Sequence, residues 1–252
     1  MAVIDLNCDM GEGAGTDEAI MPLVSSANVA CGGHAGDEGT IRATVRLARQ
    51  HGVSVGAHPS YPDRAGFGRQ PMPRTPAGVH GDVTGQVAAV LAACRAEGVR
   101  LGHVKPHGAL YNTAAHDRAV AAAVCAAVRE LDPSLVVVCL AGSPMVEVVR
   151  AAGLRCAQEA FADRAYARDG ALVPRSRPGA LIDDPAEAAE RAVALATEGR
   201  LTAIDGHPLR VQADTLCIHG DTAGAARLAT AIRARLDAAG ARVRPLQAGR
   251  TG

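Results

Sequence analysis

Short apolar runs alternate with longer stretches of helical periodicity along this chain. The runs AVIDLN (2–7), SANVAC (26–31), VSVGAH (53–58), VRLGHVK (99–105), LVVVCL (135–140), LRCAQE (154–159) and TLCIHG (215–220) have the length and apolar content of buried strands. Between them, apolar positions recur at helical spacing over about 38–51, 76–97, 115–131, 143–152, 184–199 and 222–239, with a shorter stretch near 17–25. Thr75 and Asp184 stand as N-caps, each followed by proline at the first helical position, and Gly98, Gly153, Gly199 and Gly240 stand where helices end. The stretch LTAIDGHPLRVQA (201–213) places an Asp-Gly turn between two strand-like pieces and reads as an inserted hairpin.

Regular β/α alternation implies a parallel sheet, either open and doubly wound or closed into a barrel. Seven β/α units over 252 residues favour an α/β fold, a (β/α) barrel close to the eight-stranded kind, occupying 1–252 as a single domain. The ends of the runs sharpen the choice. Nearly every run finishes in His, Asp, Asn, Glu or Lys, and a barrel gathers the ends of all its strands around one mouth, whereas an open sheet gathers them only at its switch point.

Strand parity then groups the polar residues. Asp5, Asn7 and Asp9 share a face, as do His103, Lys105 and His107, and His219 with Asp221, so each set can look toward the barrel axis. Pro106 biases Lys105 toward extended backbone and keeps its side chain on that schedule.

Composition narrows the function classes. Formal charge is zero, with no basic block, so nothing marks the chain for nucleic acid or an anionic membrane surface. The opening MAVIDLNCDMGEG lacks the basic residues of a signal peptide, no apolar stretch approaches a membrane span, and a cytoplasmic location is expected. Seven cysteines with no CxxC pair indicate neither a disulfide framework nor a zinc ribbon. Lys105 is the only lysine among 26 basic residues, and the five aromatic residues cluster in HPSYPDRAGFGR, HGALYN and EAFADRAY, which read as loops.

The segments DLNCDMGEG, SSANVACGGHAGD, GAHPSYPDRAGFGR, VKPHGALYN, EAFADRAYARDGALVPR and IHGD, in that order, resemble the LamB/YcsF family. The resemblance runs nearly end to end. One departure is Gly33, where the family commonly carries Phe. The resemblance implies a seven-stranded barrel similar to the glycoside hydrolase/deacetylase superfamily. It also implies a role as one subunit of an ATP-dependent 5-oxoprolinase, which opens the lactam of 5-oxoproline to glutamate with two partner subunits and ATP as co-substrate.

That chemistry needs an activated water, an anion clamp and a proton donor for the leaving nitrogen. Lys105 is expected to neutralise phosphate or the lactam oxygen, since a compact ammonium is not replaced by a guanidinium fork. Asp9 is the expected general base, with Asp5 and Asn7 orienting it or the substrate. His34, His58, His107 and His219 end strands around one mouth and suit proton relay or metal binding, with His34 and His58 the metal candidates. Glu12 serves either as a helix cap or near the chemistry. Arg64 and Arg69 form a loop suited to gripping a carboxylate, and Glu159 and Asp221 complete the expected binding set. Arg164 reads as paired internally with either Glu159 or Asp163; His51, His80, His116 and His207 read as structural.

No GxxxxGK[ST] is present, so a P-loop nucleotide site is excluded and ATP is expected on the partners. A stand-alone metal-dependent deacetylase or amide hydrolase and a non-catalytic regulatory subunit remain the alternatives.

Overall fold

The computed structural model of the chain describes residues 1–220 and 224–246. Its strands are β1 (Val3–Met10), β2 (Ser26–Ala30), β3 (Ser54–His58), β4 (Leu101–Val104), β5 (Val136–Leu140), β6 (Arg155–Phe161), β7 (Arg200–Thr202), β8 (Pro208–Arg210), β9 (Thr215–Ile218) and β10 (Arg242–Val243). Seven of these, β1 to β6 and β9, pair in parallel, and β9 returns to pair with β1 from Asp5 against Thr215 to Cys8 against Ile218. The sheet is therefore a closed seven-stranded barrel. The short β10 adds to the opening of β1, and β7 and β8 form a separate antiparallel hairpin whose turn carries Gly206 at φ 84°.

Among the described residues, eight α-helices surround the barrel: α1 (Asp17–Ile20), α2 (Glu38–His51), α3 (Pro76–Glu97), α4 (Gly108–His116), α5 (Arg118–Leu131), α6 (Met145–Ala151), α7 (Pro185–Glu198) and α8 (Ala225–Ala238). Helix α2 shows why these segments are helical. Ile41, Thr44, Val45 and Ala48 recur on one face and are buried, while Asp37 accepts the Thr40 N–H at the N-terminus and Gly52 closes the C-terminus in the left-handed region. Thr75 and Asp184 cap α3 and α7 as their sequence indicates.

The stretch expected as one helix over 115–131 is instead the end of α4 and all of α5. Asp117 is extended (φ −100°, ψ 108°), and its carboxylate accepts the N–H groups of Ala119 and Val120, which starts a new helix at Arg118. Where α2 meets α3, the buried carboxylate of Glu97 accepts from Arg42 Nε at 2.8 Å and Arg46 Nη2 at 2.9 Å.

The layer between barrel and helices is built of Val, Leu, Ile and Ala, each large side chain contributing about 1.5–3 kcal/mol on burial. The barrel interior is different. Val136, Val138 and Ala157 form a small apolar cluster there, but most of the axis is polar: Asp5, Asn7, Asn28, His103, Lys105, Glu159 and Thr215 are all buried. Gly56 makes room for this filling, since a Cβ there would lie 2.1 Å from His103 Nε2. No helix among the described residues is long and apolar enough to cross a membrane.

Candidate active site

Beginning at β1, alternate residues climb the barrel axis and hand hydrogen bonds upward. The lowest, Asp5, accepts from Ser25, Ser26 and Thr215 hydroxyls at 2.6–2.7 Å, and burial raises its carboxyl above the ordinary range. Asn7 Nδ2 donates to Glu159 Oε1 at 2.9 Å and to Thr215 Oγ1 at 2.6 Å. Asn28, on β2, donates to Asn7 Oδ1 at 2.7 Å and to Asp9 Oδ1 at 2.9 Å, while its own oxygen accepts from His103 Nε2.

Lys105 closes this network from above. Its backbone N–H donates to Ala57 O, so the chain stays extended past the end of β4, and the side chain reaches inward. The ammonium lies 3.0 Å from Asp9 Oδ1, 2.9 Å from Glu159 Oε1, 3.3 Å from Asn7 Oδ1 and 3.1 Å from Cys217 Sγ. Burial works against this cation, but Asp9, Cys217 and Glu159 outweigh it and keep Lys105 well above its ordinary pKa. Burial likewise works against the Asp9 anion, yet His58 and Lys105 hold it well below the carboxylate range.

Beside Asp9 stands a cluster of Glu12, His34, His58 and His107, whose ligand-type atoms all lie within 4.8 Å of one another. His58 Nδ1 donates to Lys105 O at 2.7 Å, and His107 Nε2 donates to Phe67 O at 2.9 Å. His34 Nε2 donates to Glu12 Oε1 at 2.9 Å, and the His34 and His107 rings stack at 3.8 Å. Burial, helped by neighbouring His58, lowers His34 to about 3 and His107 to about 2, so both rings are neutral. The backbone that delivers them is tightly fitted: Gly108 has φ +55°, and a Cβ there would lie 2.5 Å from Gly68 O.

On the opposite side of the mouth His219 follows β9. Its Nδ1 lies 2.5 Å from Asp163 Oδ2, and its ring stacks on Phe161 at 5.6 Å. Between the two groups lies a cavity of about 470 Å3, lined on its floor by Asp9, Glu12, His58, Lys105 and His107 and at its rim by Arg69, Arg164, Arg175 and His219. Arg164 donates to Val173 O and is buried, with its Nε lacking a hydrogen-bond partner.

The barrel thus brings Asn7, Asp9, Glu12, His34, His58, Lys105, His107, Glu159 and His219 to one end, with Arg69 at the rim over the Phe67 ring. Arg64 does not join them. Its Nη1 is bonded to the carbonyls of Gly32 and Gly36 at 2.9 and 2.8 Å, so it ties two loops together instead of meeting the cavity. Asp221 lies outside the described residues.

Sequence reasoning passed over Asn28 and Thr215, which are ordinary strand residues until parity aligns them with Asn7 and Asp5. It also set aside His116, which lines the cavity from the last turn of α4, and Asp163, which pairs with His219 rather than Arg164 through a contact no local spacing announces. The aromatic residues expected in loops include Tyr111 within α4 and Phe161 at the end of β6, both buried. At Gly33 a Cβ would meet Gln86 Oε1 at 2.4 Å and Ser60 Oγ at 2.5 Å, so Gln86 fills the space that a larger residue there would claim.

Relatives agree with this architecture. The LamB/YcsF family model matches residues 4–251. A protein of Symbiobacterium thermophilum, named as a subunit of 5-oxoprolinase, is 52% identical over 245 residues, covering 95% of this chain and 94% of its own length. The crystal structure of a lactam utilization protein from Thermus thermophilus superposes with a TM-score of 0.92 at 51% identity, covering 97% of this chain and all of that one. A T48 deacetylase shares the fold alone, with a TM-score of 0.50 at 13% identity over 96% of this chain and 87% of its own. By a match that spans the barrel from its first strand to its last helix, the chain belongs to the LamB/YcsF family.

Proposed function

We propose that this chain is the barrel subunit of an ATP-dependent 5-oxoprolinase, which with two partner subunits opens the lactam of 5-oxoproline to glutamate. The observation that carries the reading is its near-full-length likeness to a protein named as a 5-oxoprolinase subunit. Geometry supports it: the cavity is of a size for a small polar ring, and its floor holds the chain's single lysine between two carboxylates.

Phosphorylation of the lactam oxygen on the partners would couple ATP to an otherwise unfavourable opening. Water oxygen then adds to the activated carbon, the carbon–nitrogen bond breaks, the nitrogen takes a proton, and a second water hydrolyses the acyl phosphate. The Lys105 ammonium faces the charge that develops on oxygen. Asp9 orients the attacking water. His58 and Lys105, which lower its pKa against burial, favour that orienting role. His219, held by Asp163, is the donor to the leaving nitrogen. Arg69 and Arg175 at the rim suit the substrate carboxylate or phosphate.

The test is conversion of labelled 5-oxoproline to glutamate, with ATP, in extracts lacking only this chain. Restoration on adding it back is the expected result; no restoration would overturn the substrate assignment. The chain alone should hydrolyse no ATP, since the nucleotide is handled by its partners.

A further inference from the structure

Carbonyl contacts fix which ring nitrogens of the Glu12–His58–His107 cluster face one another. A nitrogen 2.7 Å from a carbonyl oxygen must carry hydrogen, so His58 is protonated at Nδ1, toward Lys105 O. By the same reasoning His107 is protonated at Nε2, toward Phe67 O. The second lock is built at a backbone cost: Phe67 holds φ 54°, a left-handed conformation no other non-glycine residue among those described adopts, and one that costs about 1–2 kcal/mol.

The two ring nitrogens not turned to a carbonyl, His58 Nε2 and His107 Nδ1, face each other at 3.0 Å. Asp9 Oδ2 lies 3.2 Å from His58 Nε2, and Glu12 Oε1 lies 3.5 Å from His107 Nδ1 and 3.9 Å from His58 Nε2. Two ring nitrogens and the Glu12 carboxylate therefore converge, with Asp9 Oδ2 beside them.

A proton bridges only one pair of these atoms at a time. A metal ion serves all of them. Ligands about 2.0–2.2 Å from a tetrahedral ion stand roughly 3.3–3.6 Å from each other, and the separations here, 3.0–3.9 Å, bracket that range. We propose that His58 Nε2, His107 Nδ1 and Glu12 bind a divalent first-row transition ion, with Asp9 Oδ2 within reach as a further ligand. His34 is then a positioning residue: it donates to Glu12 and stacks on His107. Two imidazoles with one or two carboxylates suit zinc over magnesium or calcium.

What the ion does rests on the proposed ring opening. It would activate the attacking water that Asp9 orients. Its binding stands on the side chains alone, so the test contains neither lactam nor nucleotide.

The chelator-treated chain is titrated with Zn2+ by calorimetry and with Co2+ by visible absorption. One ion per chain is expected, with d–d bands of a low-coordinate cobalt site. His58→Ala and His107→Ala should each weaken Zn2+ binding at least 10–100-fold, whereas Asp163→Asn, across the cavity, should leave it unchanged. Nitrogen-15 spectra of the wild type should show His58 Nε2 and His107 Nδ1 shifting on addition of one equivalent of Zn2+; this measurement decides if the variants fail to fold. No stoichiometric Zn2+ binding, or His58 and His107 nitrogens unmoved by Zn2+, would overturn the proposal. Failure here would leave the glutamate assay untouched, and failure of that assay would leave the metal titration untouched.

Discussion

Asp163 Oδ2 sits 2.5 Å from His219 Nδ1 and also accepts the backbone N–H of His219 at 3.4 Å, so one carboxylate fixes both the ring and the strand end that carries it. Burial opposes the Asp163 anion, but His219 outweighs that penalty and lowers its pKa. The ring is thereby set with Nδ1 as donor. Asp163→Asn should lower kcat in the assembled enzyme on the order of 10²-fold with little change in KM, because a general acid held in the wrong tautomer loses proton transfer and not substrate binding. Steady-state kinetics with 5-oxoproline and ATP checks this; an equal loss through KM would mean that Asp163 serves only to shape the cavity.

Lys105→Arg should reduce turnover by roughly 10²-fold or more, since hydrogen bonds to Asp9, Asn7 and Cys217 together with the ion pair to Glu159 cannot be reproduced by a planar fork. Lys105→Met should also destabilise the fold, by about 3–5 kcal/mol, because it leaves two carboxylates buried without their shared cation. Turnover of the first variant and urea denaturation of the second are the measurements.

Gly108→Ala should cost stability although the added group is a single methyl. The residue is at φ +55°, and its Cβ would strike Gly68 O, whose bond to Ala109 N starts α4 beside His107. We expect a loss of about 1–3 kcal/mol in denaturant unfolding, together with weaker Zn2+ binding, because the methyl would push on the Gly68 turn that follows Phe67.

Far from the cavity, Glu97 gives a pH dependence whose sign is fixed. Arg46 and Arg42 hold its carboxyl at about 2 against an ordinary 4.5. Stabilisation from a depressed carboxylate is complete above the unfolded value and is lost as pH falls through the folded one. The difference in stability between the wild type and Glu97→Gln should therefore be constant near neutrality and shrink between pH 4.5 and about pH 2. Urea midpoints across that range test it.

Residues that obey strand periodicity were legible in the sequence. Asp5, Asn7 and Asp9 share parity within β1, and Lys105 keeps the schedule of β4 because its backbone remains extended. The barrel itself followed from the same alternation. What escaped depends on contacts between segments remote in sequence. Arg64 looks like a carboxylate grip until Gly32 and Gly36 carbonyls occupy it, and Asp163 looks paired with its neighbour Arg164 until β9 brings His219 against it. Helix α4 was hidden because Pro106 and Gly108 mimic a loop, yet they stand just before and at its first position.

The chain contains three tyrosines and no tryptophan. Tyr111 lines the cavity, Tyr166 places its hydroxyl 2.8 Å from the N–H of Phe161 at the cavity wall, and Tyr61 lies buried three residues beyond His58. In most proteins near-ultraviolet emission averages over the whole molecule. Here every intrinsic fluorophore of the chain lies in the segments that build the mouth, so its emission acts as a built-in optical gauge of that mouth alone. A ligand or ion entering it can be followed without any attached label.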